Sequence, residues 1–179
     1  MGAAIQISKL FKREVIVPRP YQKEALEILD FEFEEQQKLW PTDIARALVV
    51  MATGLGKTIV SAFWAKKELL KGKRGLFLCH ENKILEQALE EYRKVLGQTA
   101  SLGVFHGQEK VYDNVDILFG SFQTFHGWKD AYLQNEFDFI IIDEAHHGQA
   151  RTYKQVIDYF HPEKLLGITA TPDREDDKD

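Results

Sequence analysis

Two stretches of this sequence combine residue types that handle phosphate and water. The first is Met51-Ala-Thr-Gly-Leu-Gly-Lys-Thr58. Gly54 and Gly56 open backbone dihedrals closed to other residues, so successive N–H groups there can converge on phosphate oxygens. Lys57 supplies a positive charge for the β- and γ-phosphates, and the Thr58 hydroxyl suits a Mg²⁺ ion carried with them. The second stretch is Asp143-Glu144-Ala145-His146-His147, which follows the apolar run Phe137-Asp-Phe-Ile-Ile-Ile142. Carboxylates fed directly from a buried strand are an expensive arrangement for burial alone. If the two stretches end on neighbouring strands, Asp143 can hold Mg²⁺ through water and Glu144 can polarise an attacking water as general base. Each stretch has a bland alternative, a glycine-rich turn in one case and a solvated acidic strand end in the other. Together they read as one nucleoside triphosphate site. Zinc on His146 and His147 would need a further Cys or His at ligand spacing on the same element, and none follows.

Such a site works only if its parts stand at the ends of strands. Ala47-Leu-Val-Val-Met51 is short and apolar enough for a buried parallel strand, and a helical pattern begins near Lys57, whose first turn would add its partial positive charge. Upstream, Pro18 and Pro20 set a helix start, and Ala25, Leu26, Leu29, Phe33 and Trp40 recur at helical spacing until Pro41. Downstream, Ile59, Val60, Phe63, Trp64 and Leu70 predict a helix to Gly72. Gly75-Leu-Phe-Leu-Cys-His80 predicts a strand, and Ile84, Leu85, Ala88, Leu89, Tyr92 and Leu96 an amphipathic helix closed by Gly97. Strands over 101–106, 116–121, 137–142 and 165–170, with helices around 123–134 and 152–160, complete the pattern. This alternation predicts an α/β fold, a doubly wound, mainly parallel sheet with helices on both faces, whose ligands sit beyond the carboxyl ends of the strands.

Composition sets the outer bounds. The chain has 179 residues, 44% hydrophobic and 28% charged, which suits a single domain with a proper core. No apolar run approaches the ~20 residues that span a bilayer, so no membrane partner is expected. A single cysteine, Cys79, excludes an internal disulfide framework and fits a reducing cytoplasm; its place at a strand end marks it as an inert core thiol. The formal charge of −5 argues against a nucleic-acid partner only at first sight. Much of the acid lies in Asp30, Glu32, Glu34 and Glu35, the outer face of the first helix, and in residues 173–179, five acids against two bases. Residues 1–17 read as a lead-in, 18–172 as the folded domain, and 173–179 as an acidic linker.

At this point the residues resemble a family. Met51–Thr58, Asp143-Glu144-Ala145-His146 and Gly167-Ile-Thr-Ala-Thr-Pro172 look like motifs I, II and III of superfamily-2 helicases and translocases. Arg19-Pro-Tyr-Gln22 is similar to the adenine-reading Q motif, Leu78-Cys-His-Glu-Asn-Lys-Ile-Leu-Glu-Gln87 stands in the place of motif Ia, and Gly120-Ser-Phe-Gln-Thr124 resembles the next nucleic-acid motif. The resemblance runs from about Pro18 to Pro172. It is strongest to the branch that holds restriction-enzyme motor subunits and DNA repair helicases, and it implies the first RecA-like, P-loop domain of such a motor, with ATP and Mg²⁺ as cofactors.

The resemblance assigns roles residue by residue. Gln22 would read the adenine edge, with Arg19 and Tyr21 near the base; a helix-start amide is the alternative for Gln22. Thr53, Gly54, Leu55, Gly56, Lys57 and Thr58 would wrap the phosphates. Thr58 and Asp143 would serve the metal, and Glu144 the water. His146 would link this site to Thr169 and Thr171, which would report nucleotide state to the nucleic-acid groove. That groove would use His80, Asn82, His106, Gly107, Ser121, Gln123 and Thr124, with helix capping as the alternative for the hydroxyls. Three departures stand out. Met51 occupies a position where Gly or Ala is usual, Glu81 puts a carboxylate where phosphate contact is implied, and a second RecA-like domain with its arginine fingers is missing. The implied partner is DNA in preference to RNA. An RNA-directed remodelling ATPase, or a nucleotide-dependent binding module without productive hydrolysis, remains as an alternative.

Overall fold

The computed structural model describes residues 16–105, 114–144 and 151–170, the side chains of 151–153 excepted. In chain order the elements are α1 (Pro20–Leu39), β1 (Ala45–Val50), α2 (Lys57–Leu70), β2 (Gly75–Cys79), α3 (Asn82–Leu96), β3 (Leu102–Phe105), β4 (Ile117–Ser121), α4 (Phe122–Trp128), β5 (Phe139–Asp143), α5 (Arg151–Tyr159) and β6 (Lys164–Thr169). α1 starts where Pro20 loses nothing by lacking an N–H, and the Gln22 side chain accepts the Arg19 backbone N–H at 2.9 Å. α3 buries Leu85, Ala88, Leu89, Tyr92, Val95 and Leu96, the three-and-four spacing of an amphipathic helix, and stops at Gly97 with φ 61°.

The six strands form one sheet in the order β1-β6-β5-β2-β4-β3, every ladder parallel. α1, α2 and α3 pack on one face through Phe33, Trp64, Tyr92, Phe77 and Phe119, whereas Phe122, Phe125, Val156 and Phe160 from the region of α4 and α5 cover the other. The doubly wound expectation therefore holds, and β2, β4, β5 and β6 are buried along their whole length. No described helix is long and apolar enough to cross a membrane. Opposite the strand ends that matter below, Lys164 at the start of β6 meets Glu68 of α2 at 2.9 Å, with both side chains buried. Lys71 reaches the same carboxylate at 2.7 Å, and Lys164 lies over the Phe33 ring at 5.6 Å.

Four local expectations are corrected. β5 does not adjoin β1; β6 runs between them. β1 is not buried on both faces: Ala45, Ala47 and Val49 face α1 and α2, but Leu48 and Val50 are 52% and 45% exposed because no described helix covers that side of the edge strand. The helix expected over 123–134 ends at Trp128 and passes into a 3-10 turn at Lys129–Ala131. Trp40 caps α1 from outside and is 55% exposed, so the buried stripe of α1 ends at Phe33.

Candidate nucleotide site and strand-end surface

The turn between β1 and α2 is built by its glycines. Gly54 and Gly56 take φ 85° and 79°, which disfavour any side chain, and a Cβ on Gly56 would stand 2.8 Å from Gln22 Nε2. The loop is anchored at three points. Met51 N–H donates to the Thr169 carbonyl at 3.0 Å, tying its start to the end of β6. Its crest, the Leu55 carbonyl, accepts from Gln22 Nε2 at 3.0 Å and from the Tyr21 hydroxyl at 3.2 Å. Arg19 Nη1 donates in turn to that hydroxyl at 3.1 Å. Below the loop, the Tyr92 hydroxyl donates to Ser61 Oγ, which donates to the Thr58 carbonyl, both at 2.9 Å.

Across this loop stands the end of β5. Lys57 Nζ lies 3.5 Å from Glu144 Oε1, so a lysine and a carboxylate 87 residues apart in sequence meet in the space above the strand ends. Glu144 adopts φ 54°, a left-handed conformation uncommon for a residue with a side chain, and its N–H donates to Asp143 Oδ1 at 2.9 Å. Asp143 itself is 5% exposed. Burial first, and the neighbouring Glu144 second, push its carboxyl from 3.8 up to about 6, against the opposing pull of the Glu144 N–H and of Lys57.

The sheet order arranges the strand ends as a row: Met51, then Thr169, Asp143 and Glu144, His80, Ser121, and finally Phe105. Neighbours along it are about 4.8 Å apart. Among the described residues, the candidate nucleotide residues outside α1 stand at or after the ends of β1 and β5, and the candidate nucleic-acid residues at or after the ends of β2 and β4, on the other half of the row. Thr169 is buried between the halves of the nucleotide site. His80 packs 5.1 Å from Phe122, Asn82 opens α3 and is exposed, and Gln123 is exposed on α4. Ser121 caps α4, accepting the Thr124 N–H at 3.1 Å, and its hydroxyl lies 2.9 Å from Thr124 Oγ1. Gln22 is 4% exposed and both ends of its amide are engaged, so it clamps the loop to the start of α1. His106, Gly107, His146 and Thr171 lie outside the described residues.

Sequence reasoning missed the supports of the loop. Ser61 stands three residues after Thr58, a spacing that lets its hydroxyl reach back along the helix, but nothing local marks Tyr92 as its partner. Nor does anything local mark the Leu55 carbonyl as the place where Tyr21 and Gln22 converge.

Known proteins resemble this chain in sequence and fold. The Escherichia coli type I restriction enzyme EcoAI endonuclease subunit is 31% identical over 141 residues, 71% of this chain and 17% of its own length. The DNA 3′-5′ translocase XPB2 of Sulfurisphaera tokodaii is 28% identical over 163 residues, 90% of this chain and 35% of its own. The chain thus spans about a third or less of the length of these curated relatives. The Sulfolobus solfataricus SWI2/SNF2 ATPase core, solved in complex with dsDNA, has the same fold: TM-score 0.68 at 23% identity, covering 88% of this chain and 32% of that one. The family described as type III restriction enzyme, res subunit, matches residues 15–174, and the chain belongs to that family, with the fold of a superfamily-2 first RecA-like domain.

Proposed function

We propose that this chain is the ATP-binding first motor domain of an ATP-dependent DNA helicase or translocase. The observation that carries the reading is the meeting of Lys57 with Glu144 at 3.5 Å across a doubly left-handed glycine loop. The residues fit Mg-ATP on their own chemistry: a loop that only glycines can shape, a lysine facing into it, and a buried carboxylate, Asp143, that burial leaves short of counter-charge. Thr53 to Thr58 wrap the phosphates, Thr58 and Asp143 serve the metal, and Mg²⁺ when bound neutralises charge on the β- and γ-phosphates. Lys57 then exchanges its pairing with Glu144 for phosphate, which leaves the Glu144 carboxylate able to accept a proton from water as general base. Arg19, Tyr21 and Gln22 border the base-binding side and, through Leu55, fix the loop crest. His146, Thr169 and Thr171 couple this site to a nucleic-acid surface at His80, Asn82, His106, Gly107, Ser121, Gln123 and Thr124.

DNA is favoured over RNA because three of the relatives matched by sequence are, by name, a restriction endonuclease subunit, a DNA translocase and a DNA helicase, against one named as an RNA helicase. The reading divides the chain into a lead-in to residue 17, the ATP-binding domain over 18–172 and a linker over 173–179. It places a second RecA-like domain after the linker, and it assigns the protein to the cytoplasm, in keeping with its single buried Cys79. The test is ATP turnover by this chain alone and joined to that second domain, each with single-stranded DNA, duplex DNA or RNA. Turnover confined to the joined form and stimulated by DNA upholds the reading. Binding of ATP by both forms with hydrolysis by neither replaces the motor with a nucleotide-dependent binding module.

A further inference from the structure

α4 follows the end of β4 and carries one aromatic side chain that the fold does not bury. Trp128 is 47% exposed, yet it is firmly backed: its ring stands edge-on to Phe105, the last residue of β3, with centroids 6.2 Å apart and planes at 88°. Phe105 is itself 2% exposed and wedged against Phe125 and Tyr132 at 5.3 and 5.7 Å. The indole is therefore held at the β3–β4 end of the row of strand ends, with nearly half of the residue open to solvent. On the helix, Trp128 shares a side with Thr124, four residues back. The other exposed side chains of α4, Gln123 and His126, are polar, so Trp128 is the one large apolar side chain that this helix exposes. Lys129 is turned away, its ammonium 4.8 Å from the Tyr159 ring and paired with Asp130.

Gly127 adds an independent observation. It lies inside α4 with no left-handed φ to require glycine, and a Cβ there would meet nothing within 4 Å. Internal packing thus gives no reason for glycine at a helical position where alanine would be better by about 1 kcal/mol. A bare backbone beside an exposed indole makes a flat lane, open to the close approach of another chain.

We propose that Trp128 and Gly127 form a stacking platform for single-stranded nucleic acid at the outer end of the strand-end surface: an unpaired base lies on the indole and the sugar-phosphate chain passes over Gly127. The proposal rests on the reading of that surface as a nucleic-acid surface and extends it to residues outside the motifs. Stacking on an aromatic tolerates any base, so the platform adds grip without sequence preference.

The test uses the full chain carrying Trp40→Phe, so that buried Trp64 and Trp128 are the remaining tryptophans. Oligo-dT of twelve nucleotides and its duplex with oligo-dA are titrated by anisotropy and by tryptophan fluorescence. Oligo-dT should quench the fluorescence and the duplex should quench it less. Trp128→Ala should weaken oligo-dT binding about tenfold, the size of one stacked base, and Trp128→Phe should stay within about threefold of the parent. Gly127→Ala should raise the unfolding midpoint while weakening oligo-dT binding, a pairing of effects that a purely structural glycine would not give. Unchanged oligo-dT binding in both Trp128→Ala and Gly127→Ala, while the parent binds, overturns the platform and leaves the surface reading standing. Failure of the parent to bind oligo-dT or duplex, while a fluorescent ATP analogue still binds, overturns both.

Discussion

Replacing Asp143 by Asn should stabilise the ligand-free fold while abolishing turnover in the complete motor. The carboxylate sits at the end of β5, 5% exposed, and accepts the Glu144 N–H at 2.9 Å. Burial, and then the charge of Glu144, raise its pKa from 3.8 to about 6. A move of about two pH units at about 1.36 kcal/mol each corresponds to about 3 kcal/mol of destabilisation carried by the ionised group. Because the folded pKa is the higher one, the folded chain holds more protons than the unfolded chain between about pH 4 and 6. Unfolding free energy therefore falls as pH rises through that window, and the full penalty is present above it. Asparagine keeps an oxygen for the Glu144 N–H and has no charge to bury. At pH 7.5, in EDTA to exclude divalent cations, Asp143→Asn should gain about 2–3 kcal/mol in urea unfolding, or several degrees in midpoint for a domain of this size. At pH 4 the gain should shrink below about 1 kcal/mol, because the wild-type carboxyl is then protonated in the folded state. A variant no more stable than wild type at pH 7.5, or a gain that does not change with pH, would refute the argument that this acid is held against the interests of the fold.

Two further substitutions probe other parts of the site, and a third probes the buried ion pair at the opposite end of the sheet. Glu144→Gln should lower turnover of the complete motor at least about 10²-fold, the scale of a lost general base, while ATP-analogue titration shows affinity equal to or tighter than wild type because Lys57 loses its resident carboxylate. Gln22→Ala removes the acceptor for Arg19 N–H and the donor to the Leu55 carbonyl; it should cost about 1 kcal/mol as a lost helix cap and speed nucleotide dissociation about tenfold in stopped-flow traces, and unchanged dissociation would separate the cap from the loop. Glu68→Gln leaves buried Lys164 short of its counter-charge and should cost about 3–5 kcal/mol in urea unfolding, whereas the joint change Glu68→Leu with Lys164→Met should recover most of that loss.

How much of this was legible in the sequence depends on how far each feature reaches along the chain. The glycine loop could be read because its requirements are local: two left-handed positions, a lysine and a hydroxyl in adjacent places, with the strand before and the helix after. The strands could be read because parallel strands buried on both faces are continuous apolar runs, as β2, β4 and β5 are. β1 looked the same and is not, because burial of its second face depends on which helix lies above it, and helix placement is a property of the whole sheet. Strand order is the clearest case. Nothing within residues 139–143 reveals that β6 separates this strand from β1, yet that separation shapes the site. With β6 between them, the loop and the acidic strand end hold a common wall: Met51 N–H bonds the Thr169 carbonyl at 3.0 Å, and Asp143 stands in register with Ile168. A shift of the end of β6 would therefore be felt at the root of the loop through the Thr169 carbonyl and beside Asp143 through Ile168, because packed strands do not yield independently. A strand lying beside only one of them would not have that effect. The insertion that the sequence could not disclose thus sets the end of β6 against both sides of the site, the Thr169 carbonyl at the root of the loop and Ile168 beside Asp143.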